Sequence, residues 1–350
     1  MAKVMKAVDI KNGRGPASSL FINPSTPIPV PAPGQALVRI KAFGLNRMDL
    51  IQREGHYPLP PQAPSTLGVE FSGIIDSFGP NPTSPQTDAE GVPFKSGDAV
   101  FGLAYGGAYA EYIAVSTRML LHKPSFLTFE QSAGIPETWI TATQALHFVL
   151  DISAHQRFHR SDSSILWHAG ASGVSIAGIQ LSRLATSAPI FATAGTADKC
   201  TFIETQLGAT KALNYKTEDW SKEILTATNE RGADLIVDFI GADYFQKNLD
   251  AIAREGRIAL LGLMSGSVVK DLNIGKLLYK AARVEGSTLR ARDEEYQGRL
   301  RDKLEEYLPH FETGKLKVFV DTVLPWEDIV KAHELLEANK TMEKIICTIS

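Results

Sequence analysis

The amino-acid sequence predicts an α/β fold in which a β-rich region comes first and a parallel sheet covered by helices on both faces follows. Residues 1–130 contain alternating apolar and polar runs between turn signals, and residues 131–289 alternate between short apolar strands and helices. The tail returns to mixed character. At 350 residues, the chain is longer than one hydrophobic core usually serves, so two domains are expected.

The β-rich character of the first region depends on its alternation and its turns. Residues 36–42 and 108–115 place polar side chains at every second position over part of their length. Five prolines between residues 24 and 34, and four more between residues 58 and 64, indicate turns. Residues 79–97 are rich in Pro, Ser and Thr and predict a loop.

The second region has the rhythm of repeated β/α units. After a helical pattern at residues 129–150, strands are predicted at 165–167, 190–192, 212–215, 235–240 and 257–261, and helices at 174–184, 199–207, 220–229 and 244–253. This order predicts a parallel sheet, because parallel neighbours need crossover connections. The tail predicts a charged helix at 294–311, a strand at 317–323, a helix at 326–339 and a last strand at 344–349.

Composition and charge exclude several classes of protein. A net charge of -3 gives no reason to expect binding to nucleic acid or to a membrane surface. Cys200 and Cys347 are the two cysteines, too few for a disulfide framework or a four-cysteine zinc site, so a reducing, cytoplasmic location is expected. We expect neither a secretory signal nor a transmembrane helix, because the apolar runs that they need are missing.

Residues 168–175, called here the phosphate turn, follow the first predicted strand of the second region and open an apolar helix. At this place in a βαβ unit the free N–H groups of the helix bind the pyrophosphate of a dinucleotide. Gly170 can supply a tight turn, Gly173 lets the backbone approach the phosphates, and Ser175 replaces the usual third glycine. Glycines often simply turn a chain, but the strand before and the helix after favour a dinucleotide site.

A serine-hydrolase interpretation of the same turn fails on spacing. Ser172 lies between a strand and a helix, as a catalytic serine would in a nucleophile elbow. The elbow needs Gly-x-Ser-x-Gly, whereas Ser172 lies two residues after Gly170 and directly before Gly173. No Asp and His are obviously placed after it.

The end of the second predicted strand bears on the choice between NADPH and NADH. An NAD site usually has an acid there, which binds the ribose 2′-hydroxyl. Here the strand ends at Gly195 without an acid, and Lys199 could pair with a 2′-phosphate, although it is equally compatible with a solvated surface lysine. Asp198 is expected to cap the following helix. The balance favours NADPH.

Seven motifs spread over nearly the whole chain point to one family. They are LNRMDLIQREGHYP at 45–58, LGVEFSG at 67–73, AGIPETWITA at 133–142, HAGASGVS at 168–175, ALNYK at 212–216, GLMSG at 262–266 and EANK at 337–340. With them the chain resembles the medium-chain dehydrogenase/reductases, and within these the zinc-free quinone oxidoreductases related to zeta-crystallin. The likeness is greatest to the animal subgroup that a tumour suppressor induces.

The resemblance implies an architecture and an assembly. A GroES-like, β-rich catalytic domain would comprise residues 1–130 and 290–350, and a doubly wound Rossmann domain at residues 131–289 would bind NADPH. The active site of the family is the cleft between these domains. A homodimer through the nucleotide domains is implied, with an edge strand near residues 283–288.

The resemblance also implies site residues. Asn46 would lie beside the nicotinamide and the acceptor, and Thr141 near the nicotinamide ribose. The remaining cofactor residues would be, from the pyrophosphate to the adenosine end and then to the later strands and the tail, Gly170, Ala171, Ser172, Gly173, Val174, Gly195, Lys199, Tyr215, Ile240, Leu263, Leu289, Arg290 and Asn339. The chain departs from the family at Ser175 and at Glu343, where relatives usually have glycine.

A catalytic zinc is not expected. Zinc-bearing relatives place a Cys in the segment matching residues 44–49 and a His in that matching 68–70, where this chain has Asn46 and Val69. Residues 79–107 contain none of the four cysteines of a structural zinc site. His155 and His159 have i, i+4 spacing without an intervening Glu, which is better interpreted as a connecting segment.

Without a metal, an electron-poor conjugated acceptor such as a quinone is favoured, because it needs little Lewis-acid help. Asn46, Tyr57 and Gln52 are the candidates for contacting such an acceptor, although Tyr57 is also compatible with a packing residue beside Pro58. Asp49 is expected to fix the Asn46 loop rather than act as a base. The alternatives are a zinc-free enoyl or enone reductase with the same fold, and a non-catalytic nucleotide- or RNA-binding protein.

Overall fold

The computed structural model describes residues 3–80, 86–153, 162–339, 341–342 and 344–350. The chain divides into two compact units: unit 1 comprises Met1–Ile140 and Arg290–Ser350, and unit 2 comprises Thr141–Leu289. The predictions that concern His155, His159 and Glu343 lie outside the described residues.

The first segment of unit 1 is rich in strands. In chain order its elements are β1 (Val4–Ile10), β2 (Leu20–Pro27), β3 (Gln35–Gly44), α1 (Arg47–Arg53), β4 (Glu70–Phe78), β5 (Ala99–Leu103), β6 (Tyr112–Ser116), β7 (Leu120–His122), α2 (Phe129–Ala133) and α3 (Pro136–Thr143). The last of these continues into unit 2, where a π-helical segment, Gln144–Val149, follows.

Unit 2 alternates strands and helices. They are β8 (Ile165–Trp167), α4 (Gly173–Ala185), β9 (Ile190–Ala194), α5 (Ala197–Thr205), β10 (Lys211–Asn214), α6 (Trp220–Ala227), β11 (Ala233–Asp238), α7 (Ala242–Ala251), β12 (Ile252–Leu260), α8 (Gly275–Tyr279) and β13 (Arg283–Gly286). The tail returns to unit 1 with α9 (Glu294–Glu305), α10 (Leu308–Glu312), β14 (Val320–Pro325), α11 (Ile329–Glu337) and β15 (Lys344–Thr348).

A seven-stranded sheet forms the frame of unit 1. Its order is β14-β15-β3-β4-β5-β7, with β6 also paired to β3. The C-terminal strand β15 lies antiparallel to β3, with Ile346 opposite Gly44, so the two ends of the chain share one sheet. Ala133 of α2 packs in one buried cluster with Ala42 and Ile346. This packing holds α2 in unit 1, whose first segment ends at Ile140.

The sheet of unit 2 is parallel and confirms the predicted β/α rhythm. Its order is β10-β9-β8-β11-β12-β13, and every pair of neighbours runs parallel. Counted from β8, this is the 3-2-1-4-5-6 order of doubly wound sheets. The order reverses beside β8, so the loops after β8 and β11 lie where such sheets bind their ligands.

Several local features differ from the sequence predictions, among them β2, α1 and the pair of helices α9 and α10. β2 runs through Pro24 where turns were predicted; it pairs with β1 alone, and Pro24 lies at a shift of register, where proline removes no ladder hydrogen bond. The helix α1 was not predicted. The predicted helix 294–311 is two helices, because Pro309 has no N–H for the helical hydrogen bond and lies in the first turn of α10. No described helix is long and apolar enough to span a membrane.

Candidate active site

The phosphate turn leaves the N-terminus of α4 open for an anion. Ser172 is the N-cap residue, but its side chain makes no capping hydrogen bond, and no acidic residue lies in the first turn of α4. The backbone N–H groups of Gly173 and Val174 belong to this first turn, and both residues are partly exposed. A helix start with free N–H groups and no acid favours a bound phosphate. The turn therefore fits the pyrophosphate of a dinucleotide.

The glycine of the turn acts by its small size rather than by its backbone angles. The residue with positive φ is Ala169, at 49°. A Cβ on Gly170 would lie 2.8 Å from the Cβ of Ala192, so the turn packs directly on β9. The Gly170 N–H also donates to the Thr193 carbonyl oxygen at 2.8 Å. This is a different reason for Gly170 from the tight turn that the sequence suggested.

Ser175 is compatible with the close packing of α4, as expected for a small residue in place of the third glycine. It is fully buried, and its Oγ donates to the His168 carbonyl oxygen at 2.7 Å. The closest approach of helix to strand lies one turn later, because a Cβ on Gly178 would lie 2.1 Å from the Trp167 ring. Gly178 was not predicted from the sequence.

A buried polar network supports the turn from below. His168 contacts Thr193 Oγ1 at 3.1 Å through Nδ1 and Asn248 Oδ1 at 2.7 Å through Nε2. Asn248 donates in turn to Asp238 Oδ2 at 2.8 Å, and Asp238 Oδ1 accepts the N–H of Ile240 at 2.6 Å. Burial lowers the pKa of His168 more than Asp238 and Asn248 raise it. The network joins the ends of β8, β9 and β11.

The predicted adenosine end gathers at the end of β9. A Cβ on Gly195 would lie 2.7 Å from the Tyr215 hydroxyl, so this phenol lies directly over Gly195. Lys199 is partly buried in the first turn of α5. The helix is capped by Thr196, whose Oγ1 accepts the Lys199 N–H at 3.3 Å, and Asp198 lies in the first turn without capping. Thr196 thus has the capping role that was expected of Asp198.

The remaining cofactor candidates of unit 2 lie in three places. The loops carrying Ile240 and Leu263 are joined, since the Ile240 carbonyl accepts both the N–H and the Oγ of Ser265 at 2.8 Å. Leu263 is half exposed. Thr141 is partly exposed near the end of α3, and Leu289 is the buried last residue of unit 2.

In unit 1, Asn46 lies at the start of α1 between two oppositely charged side chains. Its Nδ2 donates to Glu70 Oε1 at 2.8 Å, and its Oδ1 accepts from Lys344 Nζ at 2.7 Å. Lys344 also donates to the Leu45 carbonyl oxygen at 3.1 Å and pairs with Glu70. Both charged side chains are almost completely buried. The side chain of Asn46 is therefore held in one orientation by Glu70 and Lys344.

Asp49 fixes the Asn46 loop, as expected. Its Oδ2 accepts the Asn46 N–H at 2.8 Å and the Tyr109 hydroxyl at 3.1 Å, and its Oδ1 accepts the Gly68 N–H at 3.2 Å. Asp49 is fully buried, and burial raises its pKa to about 6 although the backbone hydrogen bonds oppose that rise. Gly68 has a φ of 89°, and a Cβ there would lie 2.3 Å from Tyr109, so only glycine fits.

Tyr57, Gln52 and Arg290 form a second group in unit 1. Arg290 Nη1 donates to Gln52 Oε1 at 2.8 Å, and the Arg290 guanidinium lies 5.3 Å from the Tyr57 ring centre. Gln52 Nε2 donates to the Ser65 carbonyl oxygen at 3.1 Å, so both ends of this amide have protein partners. Tyr57 is partly exposed, and its pKa is raised by burial first and then by Glu137. Tyr57 is therefore packed against Arg290 as well as lying beside Pro58.

Arg290 and Asn339 lie in unit 1, among the acceptor candidates. Arg290 Nε donates to the Tyr105 carbonyl oxygen at 2.6 Å, and its buried Nη2 has no hydrogen-bond partner among the described residues. Asn339 contacts Arg47, at the start of α1, through its Oδ1. Its φ of 55° is the left-handed conformation common just after a helix end.

Comparisons with known proteins agree with this geometry. The alcohol dehydrogenase GroES-like domain matches residues 32–125, and the zinc-binding dehydrogenase family matches residues 173–306. Human quinone oxidoreductase is 28% identical over 333 residues, covering 95% of this chain and 94% of its own. The chain belongs to the quinone oxidoreductase branch of the medium-chain dehydrogenase/reductases.

Two solved structures have the same fold over the whole length. Escherichia coli quinone oxidoreductase complexed with NADPH is 26% identical, has a TM-score of 0.80, and is matched over 98% of this chain and all of its own. An NAD-dependent alcohol dehydrogenase is 31% identical, with a TM-score of 0.82 over 99% of this chain and all of its own. The predicted combination of a GroES-like domain with a Rossmann domain is confirmed.

A catalytic zinc would need three protein ligands close together. Among the described residues, no three His, Cys, Asp or Glu side chains lie together as a metal site would require. Around Asn46 and Glu70, in the segments where zinc-bearing relatives have their ligands, the Lys344 ammonium group already contacts Glu70 and Asn46. A divalent cation at this place would meet a buried positive charge, which disfavours its binding. The residues present do not fit a catalytic zinc.

Several residues of the candidate site were not predicted from the sequence. Lys344 was interpreted only as the start of a strand, and Glu70 and Glu137 only as parts of motifs. Their roles depend on β15 reaching β3 across the whole length of the chain. A lone Lys beginning the last strand carries no local signal of its partner, so the pairing of Lys344 with Glu70 could not be predicted.

Proposed function

We propose that the protein is an NADPH-dependent reductase that transfers hydride to a quinone or a similar conjugated carbonyl compound without a metal ion. The observation that carries the proposal is the phosphate turn, which opens α4 beside the point where the strand order reverses. Relatives named quinone oxidoreductase support the acceptor class, and the NADPH complex of the Escherichia coli enzyme supports the cofactor.

The preference for NADPH is supported by the end of β9. An NAD site usually has an acid here, whereas this strand leads through Gly195 to Thr196. The Tyr215 hydroxyl lies over Gly195, and Lys199 follows in the first turn of α5, so a hydroxyl donor and a cation are available at this end of β9. A 2′-phosphate would gain charge-assisted hydrogen bonds from these two groups.

Metal independence is supported by Lys344. A metal would polarise the carbonyl oxygen of an alcohol dehydrogenase substrate, and its site would need ligands free to bind it. Here Glu70 is neutralised by the ammonium group of Lys344, and Asn46 contacts both. When bound, NADPH supplies the hydride. Asn46, Tyr57, Gln52 and Arg290 would then orient the acceptor and exclude water, which is sufficient for an electron-poor conjugated system.

A homodimer through unit 2 is part of the proposal. β13 is an edge strand whose outer side has no partner among the described residues. Leu278 and Tyr279, just before it, are each 77% exposed. Exposed apolar side chains beside an open strand edge are typical of an interface. Sedimentation equilibrium of the full chain measures the assembly, and a monomer at micromolar concentration would contradict it.

The test of the function is steady-state oxidation of NADPH and NADH with a panel of quinones, enones and enoyl thioesters, each with and without a chelator. We expect quinone turnover with NADPH that the chelator does not change. Lys199→Met should raise the KM for NADPH by about 10- to 100-fold, since one charge-assisted phosphate contact is worth about 1.5–3 kcal/mol. The KM for NADH should stay unchanged.

The matched control is Lys222→Met, which removes an exposed lysine of α6 whose partner is Asp219. This variant should leave the KM for NADPH and the KM for NADH unchanged. Equal use of NADH by the wild type would contradict the role of Lys199, and loss of activity with chelator would contradict metal independence. If the enzyme reduces enoyl thioesters but not quinones, the proposed acceptor class is wrong and the protein is an enoyl reductase.

A further inference from the structure

In unit 1 the Glu70 carboxylate contacts the backbone of Glu137, and the carboxyl groups of these two residues interact electrostatically but receive unequal hydrogen bonding. Glu70 accepts from Asn46 Nδ2 and from the backbone N–H of Glu137, both at 2.8 Å, and pairs with Lys344. Among the described residues, no hydrogen bond reaches the carboxyl of Glu137. The donors of this region therefore stabilise the charge of Glu70 and leave Glu137 without such support.

This asymmetry assigns the proton to Glu137. Two neighbouring carboxyl groups cannot both ionise cheaply in a region sheltered from water, and the one with fewer donors keeps its proton. Burial, followed by the charge of Glu70, raises the pKa of Glu137 to about 8, against the opposing effects of Lys344 and Arg290. Asp49 adds to the rise. At neutral pH the carboxyl group of Glu137 is therefore mostly protonated.

Glu137 is also accessible and close to the acceptor candidates. Its side chain is partly exposed, unlike the fully buried Glu70 and Asp49. Its charge also raises the pKa of Tyr57, so the two groups interact electrostatically. Tyr57 contacts Arg290, whose buried guanidinium supplies a fixed positive charge beside the same group. A small molecule lying against Tyr57 would thus be near an acid and a cation.

We propose that Glu137 is the proton donor of the reduction. This inference rests on the proposed function. A quinone gains two electrons with the hydride from NADPH and becomes a monoanion. The O–H bond of Glu137 breaks, its proton forms an O–H bond with the anionic oxygen, and the electron pair stays on the carboxylate. The products are hydroquinone and NADP⁺, and Glu137 regains a proton from solvent. Until then Arg290 and Lys344 stabilise its carboxylate.

The experiment compares Glu137→Gln and Glu137→Asp with the wild type. We expect Glu137→Gln to lower kcat with a quinone by about 100-fold, which is typical for loss of a general acid, without changing NADPH affinity measured by cofactor fluorescence. Wild-type kcat should fall as the pH rises through about 8, because the carboxyl proton is lost there. Glu137→Gln should lack this falling limb, and Glu137→Asp should restore part of the rate and the limb.

A second readout does not depend on turnover. Infrared difference spectra of the protein without acceptor should show the carbonyl stretch of a protonated carboxyl group that disappears with a midpoint near pH 8. Glu137→Gln should lack this band, and the control Glu130→Gln, which changes an acid of α2, should keep both the band and the rate. Circular dichroism and the Tm establish that each variant is folded.

The outcomes separate the two proposals. A wild type that reduces no acceptor of the panel overturns the proposed function, whatever the spectra show. An active wild type whose rate and pH profile survive in a folded Glu137→Gln variant overturns the proton donor alone. Absence of the carboxyl band from the wild type at neutral pH also overturns it.

Discussion

The two units fix their candidate functional residues by different means. In unit 1, the ionisable side chains of Asp49, Glu70, Glu137 and Lys344, called here the carboxylate centre, are buried or partly buried, and the ion pair of Lys344 with Glu70 lies among them. In unit 2, the phosphate turn contains no Asp, Glu, Lys or Arg and is positioned by backbone hydrogen bonds and close packing. We therefore expect the stability of unit 1 to fall when a charge is removed, and the stability of unit 2 to fall when volume is added.

The largest loss in the free energy of unfolding is expected from Lys344→Met. This change leaves Glu70 buried without its cation, and breaking a buried ion pair from one side costs about 3–5 kcal/mol. The free energy of unfolding, measured in urea, should fall by that amount. Adding Glu70→Gln to this variant should recover part of the loss, because no uncompensated carboxylate then remains.

The matched control for Lys344→Met is Lys331→Met, which removes an exposed lysine of α11. We expect a change within about 0.5 kcal/mol, as is usual for exposed positions. A loss of similar size in the two variants would mean that the carboxylate centre is not held by its charges, and the contrast between the units would disappear.

The same contrast explains what the sequence could predict. The strand, turn and helix at residues 165–185 were predicted nearly to the residue, because β8, the phosphate turn and α4 are adjacent in the chain and the apolar spacing has a clear period. The family resemblance also implied Gly195, Lys199 and Tyr215 as a group, and in the structure Gly195 follows β9 and Tyr215 follows β10, the neighbouring strand.

In unit 1 the sequence predicted the residues but not their partners. Asn46, Gln52 and Tyr57 were identified from a motif, whereas their contacts with Lys344 and Arg290 join positions more than 200 residues apart. No local pattern encodes such pairs. The helix α1 escaped prediction because it is seven residues long, too short to show a helical period. The likeness to the tumour-suppressor-induced subgroup stays a prediction.

The corresponding change in unit 2 is Gly178→Ala, which should lower the free energy of unfolding by less than Lys344→Met. The added methyl group would overlap the six-membered ring of Trp167, whose nearest atom lies 2.1 Å from the Cβ position. Overpacking of this kind costs about 1–3 kcal/mol, because α4 or the indole must shift. Urea unfolding measures the loss.

A double-mutant cycle identifies the cause of that loss. Trp167→Phe removes the ring atoms that the methyl group would meet, so Gly178→Ala should cost less in that background than in the wild type. If the two substitutions instead add independently, the close approach of α4 to β8 is not what requires glycine at this position.

The smallest change in the free energy of unfolding at neutral pH is expected from His333→Gln. His333 is one of two buried histidines that differ in their partners, and the other is His168. In unit 2, both ring nitrogens of His168 have partners. In unit 1, His333 Nδ1 lies 3.1 Å from Arg53 Nη1, and since Arg only donates, Nδ1 must accept. The His333 Nε2 is buried and has no partner among the described residues. Burial, and then the charge of Arg53, lower the pKa of His333 to about 3.

The sign of the pH dependence follows from these values. The unfolded chain protonates a histidine near pH 6.5, whereas folded His333 stays neutral down to about pH 3, so the unfolded state binds more protons within this window. Acidification therefore destabilises the fold through His333 by about 1.4 kcal/mol per pH unit within the window. His333→Gln, whose Oε1 can accept from Arg53, should remove this slope, and it should differ little from the wild type in slope above pH 7.

Urea unfolding at a series of pH values measures the difference in slope between the variant and the wild type. The difference matters because Asp49 and Glu137, whose folded pKa values are about 6 and about 8, give slopes of the opposite sign that are common to both proteins. His56→Gln changes a histidine whose side chain is 76% exposed and should leave the slope as it is. Equal slopes in His333→Gln and the wild type would mean that His333 gains its proton in the folded state as easily as in the unfolded chain. Unit 1 would then tolerate a second positive charge beside the buried Arg53.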